Sequence, residues 1–247
     1  MRALFVKQDD YSPSGLIGDA FTRLGYDVTE FTVVPPDRFH SPDVTVTFPD
    51  PASYDAIVAY GAIWAVYDDT SIGSWIHDEI AFTRAALAAR VPVLGICFGG
   101  QVLAAAIGGR VERAPEPEIG WTTVDTRQPG LIDAGPWLEW HYDRFRLPPG
   151  ISPIATTPLA SQAFIVGRSL GLQFHPEVNE AVLDTWLSHG DPDELPKAGI
   201  DVGKLLEETR SLAGDAARRA HELVRRFVTD VATRPVDDAI QQVALGE

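Results

Sequence analysis

The sequence predicts an α/β fold: a mostly parallel central sheet with helices on both faces, a small antiparallel extension and C-terminal helices. Three observations carry that expectation. Short apolar runs of strand type alternate with helix-period stretches over the first 110 residues. Beyond residue 110, short strands follow one another with only turns between them. From Ala181 the helical period returns and holds as far as Val231.

The elements follow in chain order. Residues 3–6 (Ala-Leu-Phe-Val) make a buried-strand run, and 12–15 a turn. Leu16, Ile17, Ala20, Phe21 and Leu24 recur at helical spacing until Gly25 stops the helix. Residues 28–34 alternate as a second strand, ended by Pro35 and Pro36. A third strand is expected over 56–60, with Gly61 directly after it. An amphipathic helix over 78–90 leads to a fourth strand, 91–96, which runs straight into Cys97. The next helix occupies 101–107 and is closed by Gly108 and Gly109. Residues 111–112, 121–125, 161–166 and 170–174 are the short strands of the extension. Leu205, Leu206, Thr209, Leu212, Ala216, Leu223, Phe227 and Val231 then mark an apolar stripe whose simplest use is packing on the domain.

No low-complexity linker or internal repeat divides the chain. Residues 1–190 are read as one domain, and 191–234 as a helical extension packed on it, entered through a polar loop at 190–197. The tail, 235–247, is expected to fray. The chain's 247 residues, 45% of them hydrophobic, suffice for one good-sized core.

Charge and cysteine count exclude several classes of function. Lys and Arg number 20 against 35 Asp and Glu, a formal charge of −15, and no basic run appears. A nucleic-acid partner is therefore not expected; the acidity reads as a soluble, self-repelling surface. One cysteine makes neither an internal disulfide nor a thiol metal cage, so no metal is expected. No Gly-x-x-x-x-Gly-Lys-Ser/Thr loop is present, and no cofactor is expected. The N-terminus has a four-residue apolar run before Lys7, which reads as a first strand and not a signal peptide. No window approaches the ~20 apolar residues of a membrane span, so a cytoplasmic protein without a membrane partner is expected.

The informative segment is 92–101, Pro-Val-Leu-Gly-Ile-Cys-Phe-Gly-Gly-Gln. An apolar strand ends in Gly-x-Cys-x-Gly and a helix begins at once, which is the recipe for a nucleophile elbow. Such a turn holds the Cys97 sulfur clear of the sheet at a helix N-terminus, where N–H groups favour the thiolate. The competing reading of a lone Cys is a small apolar filler; the flanking glycines favour the elbow. A thiol also needs a base. Of six histidines, His175 alone follows an apolar strand, and it precedes Pro176-Glu177. Residues two apart in an extended segment face the same way, so Glu177 can orient the His175 imidazole.

Gly-Ile-Cys-Phe-Gly-Gly-Gln at 95–101 followed by His-Pro-Glu at 175–177 resembles the class-I (triad) glutamine amidotransferase domain. The likeness runs from about residue 2 to 190, and the chain is similar to stand-alone members that look like the amidotransferase domain of GMP synthase. The resemblance implies a flavodoxin-like sheet and hydrolysis of glutamine's side-chain amide, through a γ-glutamyl thioester, to glutamate and ammonia. It makes Cys97 the nucleophile, His175 the general base and acid, Glu177 its orienter and Gln101 a glutamine contact. His141 and Asp143, within 140–145, and Glu118, within 118–121, are carried as further substrate-site candidates. The alternative for His141 and Asp143 is a salt bridge in a helix or loop.

Acyl transfer needs donors aimed at the developing oxyanion. One is the backbone N–H of Phe98, directly after the nucleophile. The family's second donor comes from a Gly-Gly-Pro loop; here Gly61 is kept, but Ala62 and Ile63 stand in the next two places. Ala is disfavoured at positive φ, so the sequence leaves the working of this loop open. Trp64 is either a wall of the pocket mouth or ordinary core. Four functions compete: a glutaminase delivering ammonia to a separate synthetase, a stand-alone hydrolase of another γ-glutamyl compound, a catalytically silent binding protein that has kept the fold, and a cysteine peptidase.

Overall fold

A computed structural model describes residues 1–235. In chain order it has β1 (Arg2–Lys7), α1 (Gly15–Arg23), β2 (Asp27–Thr32), β3 (Ala56–Ala59), α2 (Asp69–Ala88), β4 (Val93–Ile96) and α3 (Phe98–Ala106). There follow β5 (Arg110–Thr122), β6 (Asp125–Thr126), β7 (Trp137–Arg146), β8 (Pro153–Thr156), β9 (Ser161–Val166) and β10 (Ser169–Leu172). The chain then turns helical through α4 (Glu180–His189), α5 (Glu194–Lys197) and α6 (Val202–Arg226), whose last turn, Phe227–Val231, widens to a π-helix.

Eight strands form one sheet in the order β2-β1-β3-β4-β10-β9-β8-β6. The first five are parallel, and β9 pairs antiparallel with β10. Period-two alternation sends successive side chains to opposite faces. Ala3 and Phe5 of β1 join a core with Ile17 and Phe21 of α1 and Leu223 and Phe227 at the end of α6. Leu4 and Val6 of the same strand join a second core with Trp75 and Ile76 of α2 and Val102 of α3. Helices therefore cover both faces, as expected. The order β2-β1-β3-β4 is the doubly wound arrangement, in which ligands bind beyond the carboxyl ends of the strands.

Three expectations need correction. The second long helix begins at Asp69, nine residues before 78, because the Asp68 side chain accepts a hydrogen bond from Ser71 N and caps it. The antiparallel strands are not one unit. β9, β8 and β6 extend the main sheet, whereas β5 and β7 form a separate two-stranded arm. The segments 111–112 and 121–125 belong mainly to one long β5, whose register against β7 shifts between Arg113 and Glu118. The loop expected over 190–197 contains α5, whose Leu195 is buried. The expectation for 235–247 lies, after Pro235, outside the described residues.

The C-terminal stripe packs on the domain. Leu205 and Thr209 are buried, as are Ala216, Leu223, Phe227 and Val231, while Leu212 is half-buried. Among the described residues no helix is long and apolar enough to cross a membrane.

Candidate active site

β4 ends at Ile96 and α3 starts at Phe98, so Cys97 alone makes the turn between strand and helix. It does so at φ 50° and ψ −106°, a conformation that costs a residue with a Cβ ~1–3 kcal/mol. The surroundings enforce it. Cys97 N donates to Leu172 O at 2.9 Å, Gly99 N to Tyr60 O at 3.1 Å, and Gln101 N to Cys97 O at 2.9 Å. The glycines serve close approach, since the positive φ falls on the cysteine itself. A Cβ on Gly99 would lie 2.1 Å from Ala59 O, and one on Gly100 2.2 Å from Leu172 O.

His175 lies just past the end of β10, next to β4 in the sheet. Its backbone N donates to Leu138 O at 2.8 Å, which pins the β5–β7 arm to this point. Its Nδ1 is 2.7 Å from Glu177 Oε1, with both side chains buried. Glu177 O in turn accepts from Leu16 N at 2.9 Å, so α1 holds the third member of the group. Burial opposes a charge on the His175 ring. The Glu177 carboxylate and the Cys97 sulfur, which interacts with the ring, outweigh it and push the pKa well above its ordinary value. Gln173 Nε2 approaches Cys97 Sγ at 3.7 Å.

Cys97, His175, Glu177, Gly61, Phe98, Gln101, His141 and Asp143 all line one cavity of about 390 Å³. Space at Gly61 is tight: a Cβ there would lie 3.0 Å from His175 Cε1 and 3.7 Å from Cys97 Cβ. The constraint expected at Ala62 does not arise. Among the described residues only Arg90 and Cys97 are non-glycine residues at positive φ, so Ala62 and Ile63 sit in ordinary backbone conformations. The same loop is tethered across the cavity, where Tyr67 OH donates to Asp143 Oδ1 at 2.8 Å. Trp64 takes both suggested roles, lining the cavity while packing on Trp75 and Phe39.

With this geometry the comparisons with known proteins agree. The profile of the family "Glutamine amidotransferase class-I" matches residues 17–188, well over half of the chain. The chain belongs to the class-I glutamine amidotransferase family. Among curated proteins, a GMP synthase (glutamine-hydrolyzing) of Aeropyrum pernix is 38% identical over 154 residues, 57% of this chain and 30% of that protein. Another, of Nitrosomonas eutropha, is 41% identical over 118 residues, 39% of this chain and 23% of that protein. The chain thus spans less than a third of the length of these relatives. Among solved structures, a glutamine amidotransferase of Thermotoga maritima superposes with a TM-score of 0.79 at 25% identity, covering 93% of this chain and 99% of that one. A glutamine amido transferase of Methylobacillus flagellatus gives 0.80 at 24% identity, covering 96% and 97%, and bears on the fold alone.

In this class-I amidotransferase fold, Glu118 stands behind the cavity wall and reaches the site through His141, its cross-strand neighbour. His141 Nδ1 is 3.0 Å from the Asp143 carbonyl, which can only accept, so that nitrogen carries a hydrogen. Its Nε2 lies 3.2 Å from Glu139 and 3.3 Å from Glu118. Burial opposes charge on this ring too, but the two carboxylates raise its pKa to about 9. Burial pushes the wholly enclosed Glu139 carboxyl up. The sequence alternative of a salt bridge for His141 is therefore present, within a strand pair and not in a helix or loop. Gln101 is held at the cavity wall by its Nε2, which donates to Asp143 O at 3.3 Å.

Sequence reasoning missed the outer wall of the cavity: Tyr11, Phe39, Trp140, Trp186, His189 and Glu194. No short motif joins these residues. Trp186 stands among the apolar Val182, Leu183 and Leu187 of α4, so its residue type alone did not mark it.

Proposed function

We propose that the chain is a cysteine-dependent glutaminase of the amidotransferase kind, cleaving the side-chain amide of glutamine or of a related γ-glutamyl compound. The observation that carries this reading is Cys97 on its strained elbow, sharing a cavity with a His175 held 2.7 Å from Glu177. The Cys97 thiolate attacks the γ-carbonyl carbon, and the oxyanion is met by Phe98 N–H and the loop at Gly61. The charged His175 ring gives its proton to the departing nitrogen, so ammonia leaves and a γ-glutamyl thioester remains. His175, now neutral, takes a proton from water; the hydroxide oxygen bonds to the acyl carbon, glutamate leaves, and the thiolate is restored. Gln101, His141 and Asp143 are proposed to contact the substrate, with Glu118 holding His141.

The relatives named GMP synthase suggest glutamine as the donor and a separate synthetase subunit as the user of the ammonia. The volume of the cavity favours a second reading, a stand-alone hydrolase of another γ-glutamyl amide. The test is to incubate the purified chain with glutamine and with γ-glutamyl amides, measure glutamate released, and trap the acyl group on Cys97 for mass spectrometry. Glutamate release with a Cys97-bound γ-glutamyl group is expected. Absence of both, with every compound, overturns the proposal.

A further inference from the structure

We infer that the site takes γ-glutamyl amides whose leaving group is an amine larger than ammonia, with an apolar body and a distal positive charge. The inference rests on the thioester chemistry proposed above and specifies its substrate class. In that chemistry the leaving nitrogen takes its proton from His175 and so departs across the imidazole. What lies beside that ring is aromatic. The Trp186 ring centroid is 4.9 Å from that of His175, at 72°. Trp140 stands 5.7 Å beyond Trp186, at 84°. Trp140 Nε1 then donates to Glu194 Oε1 at 3.1 Å. Outward from the reacting nitrogen, the order is two indoles and then a carboxylate.

Ammonia is a single heavy atom and uses none of this. A cavity of about 390 Å³ falls within the range of sites that enclose drug-sized ligands. Its charge also selects. Among the described lining residues, Asp9, Asp143, Glu177 and Glu194 carry carboxyl groups, against the Arg113 guanidinium and the His141 and His175 rings. Both rings already face carboxylates of their own, His175 facing Glu177 and His141 facing Glu118 and Glu139, which leaves Asp9 and Glu194 toward the wall. Arg113 stands 3.7 Å from Asp143, so its charge is partly matched already. Aromatic faces with nearby carboxylates attract ammonium groups. A leaving group ending in a carboxylate meets repulsion in the same place.

The experiment compares kcat/KM for three substrates: glutamine, the mono-γ-glutamyl amide of 1,5-diaminopentane, and the γ-glutamyl amide of 5-aminopentanoate. The last two have equal length and opposite terminal charge. The diamine conjugate is expected to exceed both others by roughly tenfold. In Glu194→Gln the ratio of the cationic to the anionic conjugate should fall several-fold toward one, and a ratio within one protein cancels any general damage to the fold. Equal rates for the two conjugates, or glutamine turned over best, overturn the inference and leave the thioester reading standing. No turnover of any of the three, with no γ-glutamyl group on Cys97, overturns both.

Discussion

At the inner end of the cavity each part is held by backbone. Cys97 N, Gly99 N and His175 N bond to carbonyls of Leu172, Tyr60 and Leu138, and the elbow glycines touch main-chain atoms with no room for a methyl group. The outer wall is held by side chains against side chains. Tyr11 stacks on His189 at 4.0 Å, Trp140 crosses Trp186, and Glu194 caps Trp140. Backbone contacts tolerate little change, whereas ring contacts allow exchange of one ring for another at small cost. The same cavity therefore joins a backbone-held end, the proposed reacting centre, to a wall built from side-chain contacts, so under the proposed function chemistry and selectivity are separable here.

The sharpest test of that division is Cys97→Ala. Turnover should fall to background while the melting temperature stays within a few degrees, because a small side chain still fits the elbow. Residual turnover near the wild-type rate would remove the inner end from the chemistry. His175→Asn should also lose nearly all turnover, and alkylation of Cys97 by iodoacetamide at neutral pH should slow, because the charged ring no longer favours the thiolate. Glu177→Gln should do less harm, since the amide still orients the ring without stabilising its charge. The comparison is the alkylation rate against pH for the three proteins. Three coincident profiles would mean that His175 does not act on Cys97.

Gly61→Val should have a smaller effect. Its new Cβ would press on His175 Cε1, 3.0 Å away, and disturb the loop proposed to face the oxyanion. A lost oxyanion donor costs ~10²–10³ in rate, and the loss should appear in kcat more than in KM. An unchanged kcat would take the loop out of the oxyanion hole.

The smallest effect on turnover is expected outside both regions. Glu79 of α2 is wholly buried, bonded to Gln8 at 2.8 Å, and burial raises its pKa from 4.5 to about 7. A carboxyl whose folded pKa lies above its unfolded one contributes stability that is full below the unfolded value. That contribution is lost as pH rises through about 7. Glu79→Gln should therefore gain on the wild type between pH 5 and 8, by at most ~3 kcal/mol, with kcat unchanged. Urea midpoints across that range measure it; a constant difference between the two proteins would show that Glu79 does not titrate there.

Much of this was legible before any coordinates. The alternation of strand and helix, the cores on two faces and the choice of Cys97 and His175 as candidates all depend on local pattern. Residue spacing decides which face a side chain takes, and glycine spacing decides where backbones meet, so short stretches carry that information. The strand β7 was not legible. On its buried side stand Glu139, His141 and Asp143 with Trp137 and Phe145, while Trp140, Tyr142 and Arg144 are only half-buried on the other. A pattern reading takes buried positions to be apolar, and here polar groups are buried because Glu118 and Glu139 pair with His141. The start of α2 was obscured for a related reason: Gly73 and three Ser or Thr residues in its first turns weaken the helical signal that Asp68 restores by capping.

The sequence by itself determined the family, the expectation of a parallel sheet and a cysteine poised where strand meets helix, since each is signalled by patterns within short stretches. Only the tertiary structure decided what surrounds that nucleophile. Tyr11, Trp140, Trp186 and Glu194 come from the loop after β1, from β7, α4 and α5, and converge through packing that no local period encodes. The charge on His141 was decided the same way, by carboxylates that burial leaves with few other partners.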